Sequence, residues 1–161
     1  MIPCNGKSGV FNAAVVFKAF DTPTFCVWDS DGHLGETAGD CEMCGKSRDS
    51  KGNPEENRRL LRLFQKQEDD WPGMIEEEFA CFETNLEKTL QDEIGIEDFN
   101  TFLDSAKEAL GIRKREHAKK NAMALEFVFG QAKAAQKSSK SINSILEKIE
   151  AMRKKVTNNA V

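Results

Sequence analysis

The stretch FCVWDSDGH, residues 25–33, runs from apolar residues into two aspartates that are one residue apart and are followed by glycine. Residues 24–28 form a continuous run of β-forming residues without alternation, which is typical of a strand covered on both faces, as in a parallel sheet. Asp29 and Asp31 follow at its carboxyl end, where ligands of such sheets bind. Two carboxylates there predict an Mg²⁺ or Mn²⁺ site, and the alternative is a solvated turn made of turn-forming residues.

The segments around this strand predict an α/β fold. Residues 9–20 place apolar residues on one helical face, and a helix followed by a buried strand is the second half of a βαβ unit. Its first strand would be residues 1–4, MIPC. A further strand is predicted at residues 79–82, FACF, and the polar residues 33–53 are predicted to be a loop. We therefore expect a small parallel sheet flanked by helices.

The remainder of the chain is predicted to be a helical C-terminal region. Gly111 ends one helix, and residues 112–120, IRKREHAKK, belong to the basic helix predicted after it. The last helix carries an apolar stripe that packs either on the domain or on a partner subunit of a homo-oligomer. The stripe consists of Ile142, Ile145, Ile149, Met152 and Val156.

The composition is that of one globular domain. The chain has 161 residues, of which 39% are hydrophobic and 31% are charged. It contains no apolar run near the roughly 20 residues that a membrane span needs. Its five cysteines are an odd number and indicate a reducing compartment rather than a disulfide scaffold. We therefore expect a cytoplasmic protein that does not associate with a membrane.

The net charge of −4 conceals an uneven distribution of charge. Residues 1–110 contain 11 Lys and Arg against 23 Asp and Glu, whereas residues 111–161 contain 12 against 4. An acidic part followed by a basic part fits a metal site beside a surface that contacts phosphate. The alternative is two solvated faces that attract each other weakly.

Further charged residues are predicted at the edge of the sheet that carries the aspartates. Lys7 lies in NGKSG, residues 5–9, which is not a P-loop because Met1 stands where that motif needs its first glycine. We predict instead a turn that brings Lys7 to the same edge as Asp29. Glu83 and Glu87 follow the strand at residues 79–82, so they are predicted at this edge as well.

The order of these segments resembles the TOPRIM domain of OLD-family (overcoming lysogenization defect) nucleases. The resemblance covers roughly residues 1–130 and implies a TOPRIM-like catalytic core at residues 1–95 that lacks its first strand, followed by a helical region at residues 96–161. The matching segments are NGK at residues 5–7, the strand running into D-x-D, ENRRLL at 56–61, NLEKTL at 85–90 and AKKNA at 118–122.

The resemblance implies a role for each matching position. Asp29 and Asp31 would bind two catalytic Mg²⁺ or Mn²⁺ ions, with Glu87 as the later acidic ligand and Glu83 as its substitute. Lys120, or else Lys119, would stabilise charge on the phosphate. We also expect contacts with DNA from Lys7, Arg113, Lys114, Arg115 and Lys119.

The family pattern also includes parts that these segments do not supply. TOPRIM domains carry a glutamate at the end of their first strand, ahead of the segments matched here, and OLD proteins carry an ABC-type ATPase region. We therefore expect another region or subunit to provide both. The chain would then be an excised fragment, the product of a truncated or split gene, or one subunit of an assembly.

Three functional hypotheses follow from the sequence. The first is a metal-dependent, ATP-dependent DNA endonuclease module of an OLD-type protein with a role in anti-phage defence. The second is a degenerate, non-catalytic TOPRIM fragment that binds DNA or another protein. The third is a fragment of a primase or topoisomerase, although a chain without tyrosine cannot supply the tyrosine of topoisomerase chemistry.

The cysteines suggest one further possibility, a zinc site. Cys41 and Cys44 form C-x-x-C, but they are only half of a zinc motif, and we do not expect zinc to bind there. Cys26 and Cys81 fall within predicted strands and are expected to be buried core thiols.

Overall fold

The computed structural model describes residues 2–34 and 53–159 and shows a mixed α/β fold, as predicted at that level. Contacts within the chain define two compact units, Met1–Asn85 with Ser144–Val161 and Leu86–Asn143. The units therefore divide the chain at other residues than the predicted domains, 1–95 and 96–161. The helix that follows residue 85 packs on the next helix, which places it in the second unit.

The first unit contains a small sheet and the helices that cover it. Residues 2–4 form no strand, so the strand predicted for residues 1–4 is wrong over the part that the structure describes. The elements of this unit are α1 (Lys7–Ala19), β1 (Cys26–Asp29), a short 3-10 helix (Gly32–Leu34), α2 (Asn53–Leu63), β2 (Met74–Ile75) and β3 (Phe79–Phe82).

The sheet is mixed, in the order β1–β3–β2, and the prediction of a purely parallel sheet is wrong. β1 and β3 are parallel, with Cys26 opposite Phe79 and Asp29 opposite Phe82. β2 and β3 are antiparallel, because only residues 76–78 connect them and so short a connection allows only a hairpin. The parallel pair brings the carboxyl end of β1, with Asp29, beside the carboxyl end of β3, which Glu83 follows.

β1 is covered on one face, which corrects the prediction of a strand buried on both faces. Cys26 and Trp28 are buried, whereas Val27 is 42% exposed and Asp29 is exposed. The buried face packs on α1 and α2, and the Trp28 ring stacks on Phe79 with centroids 5.1 Å apart. β1 therefore ends with one face in the core and Asp29 on the other.

The second unit is a group of helices packed on one apolar core. α4 and α6 make the main contact, and small residues such as Ala106 and Ala124, both fully buried, allow the two helices to approach closely. Gly111, with a φ of 65°, follows the end of α4 as predicted. The helices that lie within this unit are α3 (Leu86–Ile94), α4 (Ile96–Ala109), α5 (Arg115–Ala118) and α6 (Ala122–Ala134).

The basic helix predicted through residues 112–120 is interrupted. α5 ends at Ala118, and Asn121 begins α6 because its Oδ1 accepts hydrogen bonds from the backbone amides of Met123 and Ala124 at 3.0 and 3.1 Å. Lys119 and Lys120 therefore lie in a turn between two helices. An asparagine that caps a helix has outweighed the helical propensity of its neighbours.

The last helix, α7 (Lys140–Asn159), carries the predicted apolar stripe, but different parts of the stripe have different surroundings. Ile142 packs on the core of the second unit and Ile145 is buried. Ile149 and Val156 are 41% and 44% exposed. Among the helices described, none is both long and apolar enough to cross a membrane.

Candidate functional site

The D-x-D turn begins where β1 ends and is fixed against the chain that follows β3. Asp29 is the last residue of β1, and the backbone then turns at Asp31, whose φ of 61° lies in the left-handed region that aspartate tolerates. The turn extends the pairing of the parallel strands by three hydrogen bonds. The backbone amides of Ser30, Asp31 and Gly32 donate to the carbonyl oxygens of Phe82, Thr84 and Glu83 at 2.8, 3.1 and 2.7 Å.

Gly32 allows this close approach of two backbone segments. A Cβ atom at position 32 would lie 2.8 Å from the carbonyl oxygen of Glu83, closer than a side-chain carbon can come without displacing the backbone. The glycine of D-x-D-G is therefore a packing requirement. Because position 32 has no side chain, the backbone of Glu83, one of the predicted acidic ligands, can lie beside the turn.

Lys7 lies in contact with the D-x-D turn. Asn5 and Gly6 have φ angles of 49° and 100°, so the chain bends sharply just before α1 begins at Lys7. The Lys7 ammonium donates to Asp31 Oδ2 at 2.8 Å and to the Ser30 carbonyl oxygen at 3.0 Å. Its side chain is only 7% exposed, whereas that of Asp31 is 30% exposed. The ion pair is therefore buried from the lysine side and open from the aspartate side.

Two buried polar residues that the sequence analysis did not single out hold this arrangement together. The fully buried Ser30 hydroxyl donates to the Pro72 carbonyl oxygen at 2.6 Å. Asn57 of α2, also fully buried, donates from Nδ2 to the carbonyl oxygens of Ser30 and Asp70 at 2.9 and 2.7 Å. Because both partners are acceptors, they fix which end of the amide is the nitrogen. Asn57 Oδ1 has no partner among the described residues.

A sequence signal for Asn57 did exist. Asn57 precedes Leu60, Leu61 and Phe64 by three, four and seven residues, so it lies on the apolar face of α2. A polar residue on a buried helical face needs hydrogen-bond partners, and it therefore points to a buried polar cluster. Lys7, Ser30, Asp31, Gly32 and Asn57 together form what we call the carboxyl-edge cluster.

The later acidic candidate, Glu87, lies in the first turn of α3 in the second unit. The Lys119 ammonium is 2.7 Å from Glu87 Oε1 and 3.1 Å from Glu116 Oε1. Partial burial lowers the pKa of Lys119, but the hydrogen bonds to Glu87 and Glu116 outweigh this effect and raise the pKa above its ordinary value. Lys119, the substitute in the prediction, is therefore the lysine that contacts the predicted acidic ligand.

The remaining basic candidates lie on the surface of the second unit. Lys120, Arg113 and Lys114 are exposed. Arg115 instead binds the Asp104 carboxylate through two of its nitrogens. Hydrogen bonding to Arg115 holds the pKa of Asp104 below its usual range. Among the described residues, the predicted DNA contacts Arg113 and Lys114, and the predicted phosphate-stabilising Lys120, are thus exposed at this surface and make no ion pair.

The donor set at the turn suits a hard divalent cation. Within residues 2–34 and 53–159, no three His, Cys, Asp or Glu side chains are grouped closely enough to hold a metal ion. Mg²⁺, however, is usually held by one or two carboxylates and keeps several waters. Asp29, which is exposed, and Asp31, which is half-buried, supply that number of carboxylates. The oxygen donors fit Mg²⁺ or Mn²⁺, with Lys7 already present as a cation on Asp31.

Two of the described cysteines, Cys26 and Cys81, are poorly suited to bind a metal ion. Cys26 and Cys81 are buried core thiols, as predicted, and burial raises the pKa of each to about 11. Both are therefore protonated at neutral pH, whereas metal ions bind the thiolate. Cys41 and Cys44, at which no zinc site is expected, lie outside the described residues.

Comparison of the chain with protein-family models, with curated proteins and with solved structures finds no match.

Proposed function

We propose that this chain is the metal-dependent catalytic module of a DNA endonuclease, and that it nicks or cleaves phosphodiester bonds. The observation that carries the proposal is the D-x-D turn at the carboxyl end of a parallel strand, with a buried lysine bound to the second aspartate. Such a turn offers two oxygen donors to a hard cation, and it is fixed by backbone hydrogen bonds rather than by side chains alone.

In this proposal each residue has a separate task. Asp29 and Asp31 would hold Mg²⁺ or Mn²⁺, and the chemistry that such ions would supply there is an activated water and stabilisation of the leaving oxygen. Glu87 is the later acidic ligand, and Glu83 is its substitute. Lys119, which contacts Glu87, and Lys120 provide positive charge for the phosphate. The exposed Arg113 and Lys114 bind the DNA backbone without reading its sequence.

The wider setting rests on the resemblance alone. An ABC-type ATPase region or subunit would supply ATP hydrolysis and the glutamate of the first TOPRIM strand, and the assembly would act in anti-phage defence. A cytoplasmic location agrees with Cys4, Cys26 and Cys81, which are free thiols.

Nicking of supercoiled plasmid tests the proposal directly. The chain is incubated with Mg²⁺ and separately with Mn²⁺, beside Asp29→Ala and the matched surface variant Asp92→Ala. Asp92 is exposed and pairs only with Lys88 among the described ion pairs, so its loss leaves the turn intact. We expect nicking by the wild type and Asp92→Ala, and none by Asp29→Ala, whereas no nicking by any of the three would mean that the chain needs the region or subunit that supplies the glutamate and the ATPase. Equal nicking by all three proteins would show that the D-x-D turn is not the catalytic metal site.

A second candidate function is a non-catalytic module that binds DNA or protein. It is favoured by the same ion pair, since Lys7 already neutralises Asp31. For a module that binds DNA, we expect the chain to retard the plasmid in a gel-shift assay but not to nick it with either metal. Nicking that depends on Asp29 would exclude this function.

A further inference from the structure

The Lys7–Asp31 ion pair differs from the ion pairs on the surface in how it is enclosed. The Lys7 side chain is 7% exposed. In the surface pair Lys66–Glu76, by contrast, the two side chains are 38% and 36% exposed. A buried ammonium needs a compensating charge and hydrogen-bond acceptors, because burial removes its hydration. Asp31 supplies the charge, and the Ser30 carbonyl supplies a second acceptor.

A divalent cation that binds Asp31 comes close to the Lys7 ammonium, because the two groups are already in contact. The cation and Lys7 are both positive and both require the carboxylate of Asp31, so they compete for it and repel each other. Asp31 is partly open to solvent, with 30% of its side chain exposed, and Lys7 binds its Oδ2. The carboxylate can therefore be reached from outside while the lysine remains buried.

We propose that Lys7 is the resident counter-ion of the D-x-D turn, and that a divalent cation must displace it from Asp31 in order to bind. Lys7 thereby sets the affinity of the site for divalent cations. This inference rests on the proposed function, since it assumes that the turn is a metal site. It assigns Lys7 a positioning role distinct from the DNA contact predicted from the sequence.

A Lys7 ammonium that no longer binds Asp31 would still have a hydrogen-bond acceptor in the cluster. The Ser30 carbonyl remains as an acceptor, and it is shared with the Nδ2 of Asn57. The Oδ1 of the same amide is buried and has no donor among the described residues. An ammonium displaced from Asp31 would therefore keep one acceptor and stay buried.

Mn²⁺ binding measured by isothermal titration calorimetry tests the inference. Lys7→Gln removes the charge but keeps an N–H donor for the Ser30 carbonyl, and Lys7→Met serves as a second uncharged variant. Lys7→Arg keeps the charge, and Lys66→Gln is the matched control from an exposed pair. We expect the uncharged variants to lower the Kd for Mn²⁺ by about tenfold, because a competitor for Asp31 is gone. Lys7→Arg and Lys66→Gln should remain near the wild type.

The outcomes separate this inference from the proposed function. Wild-type binding with an equal or weaker affinity in both uncharged variants would overturn the counter-ion role and leave the metal site standing. Binding by the uncharged variants alone would support the inference in its strongest form. If neither the wild type nor any variant binds Mn²⁺ at millimolar concentration, the D-x-D turn is not a metal site, and the inference is then wrong as well. Circular dichroism of each variant establishes that the compared proteins are folded.

Discussion

The carboxyl-edge cluster and the basic segment at residues 112–120 differ in how far their polar and charged side chains are buried. In the cluster, Lys7, Ser30 and Asn57 are buried, and their hydrogen bonds join segments that are far apart in the sequence. In the basic segment most charged side chains are exposed, and Arg115 and Lys119 form ion pairs within their own unit. The first arrangement depends on burial, whereas the second depends on water and local pairing.

This difference indicates where each region can tolerate substitution. A buried polar group that loses its partner keeps the full cost of its lost hydration, about 1–3 kcal/mol for a neutral group. An exposed ion pair contributes little, because water and salt screen it. We therefore expect substitutions in the cluster to lower stability strongly, and substitutions in the basic segment to change stability little and to act mainly on DNA binding.

Substitution of Asn57 by alanine should produce the largest loss of stability. It removes the amide that donates to Ser30 and Asp70 and leaves a small cavity in the core. We expect the free energy of unfolding to fall by about 2–3 kcal/mol, measured by urea denaturation.

The control for this substitution is Asn12→Ala on α1. Asn12 is also a helical asparagine but is exposed, so alanine should leave stability unchanged or raise it slightly. Equal effects at Asn57 and Asn12 would show that the buried amide contributes nothing beyond helix propensity, and the contrast between the two regions would be lost.

A pair of glycine substitutions should change stability in opposite directions. In Gly32→Ala the new Cβ meets the Glu83 carbonyl oxygen at 2.8 Å, so we expect a loss of about 1–3 kcal/mol. In Gly130→Ala, within α6, the new Cβ meets nothing within 4 Å. Alanine is the better helix former, so a gain of about 0.5–1 kcal/mol is expected. Thermal unfolding of both variants measures the difference, and a stabilised Gly32→Ala would contradict the packing role of that glycine.

The sequence predicted local elements well where one physical signal dominated. The strand predicted at residues 24–28 and observed at Cys26–Asp29, the strand at residues 79–82 and the helix that ends before Gly111 were all predicted from apolar runs and breakers. The helix through Lys119 and Lys120 was predicted wrongly, because an asparagine within a polar run reads equally well as a surface residue or as a cap.

What the sequence did not predict depends on contacts between distant segments. β2 has only two residues, and its antiparallel pairing follows from the hairpin rather than from its own composition. The one-sided burial of β1 was missed because Val27 is apolar yet 42% exposed, so the run of apolar residues concealed an alternation.

The same limit applies to the candidate site. Asp29 and Asp31 were predicted at the end of a strand from the local run of residues, whereas the predicted position of Lys7 relied on a strand at residues 1–4 that residues 2–4 do not form. Ser30 was passed over because a serine between two aspartates resembles any turn residue. Its burial arises from the Pro72 carbonyl, 42 residues away in the sequence, which no local pattern reveals.

A smaller effect, on DNA affinity rather than stability, is expected in the basic segment. Arg113→Ala combined with Lys114→Ala removes two exposed charges, so non-specific DNA binding should weaken by about tenfold at low salt. The slope of log affinity against log salt should fall by about 2. Fluorescence anisotropy with a labelled duplex measures both, and the urea midpoint should stay unchanged. An unchanged salt slope would place the DNA contact elsewhere.

The smallest effect is expected at the exposed pair of Arg115 and Asp104. Hydrogen bonding to Arg115 lowers the folded-state pKa of Asp104 below the ordinary value of 3.8, so the pair stabilises the fold above that pH. This contribution is lost as the pH falls through the lowered pKa of the folded state. Arg115→Ala should therefore be slightly less stable than the wild type at neutral pH, and the difference should disappear in acid.

Arg115→Lys should be intermediate, because it keeps the charge but not the paired hydrogen bonds. Urea denaturation across this pH range measures the difference. A difference that persists in acid would mean that Arg115 stabilises the fold through the packing of its apolar stem, and that the surface charge of the basic segment contributes to binding alone.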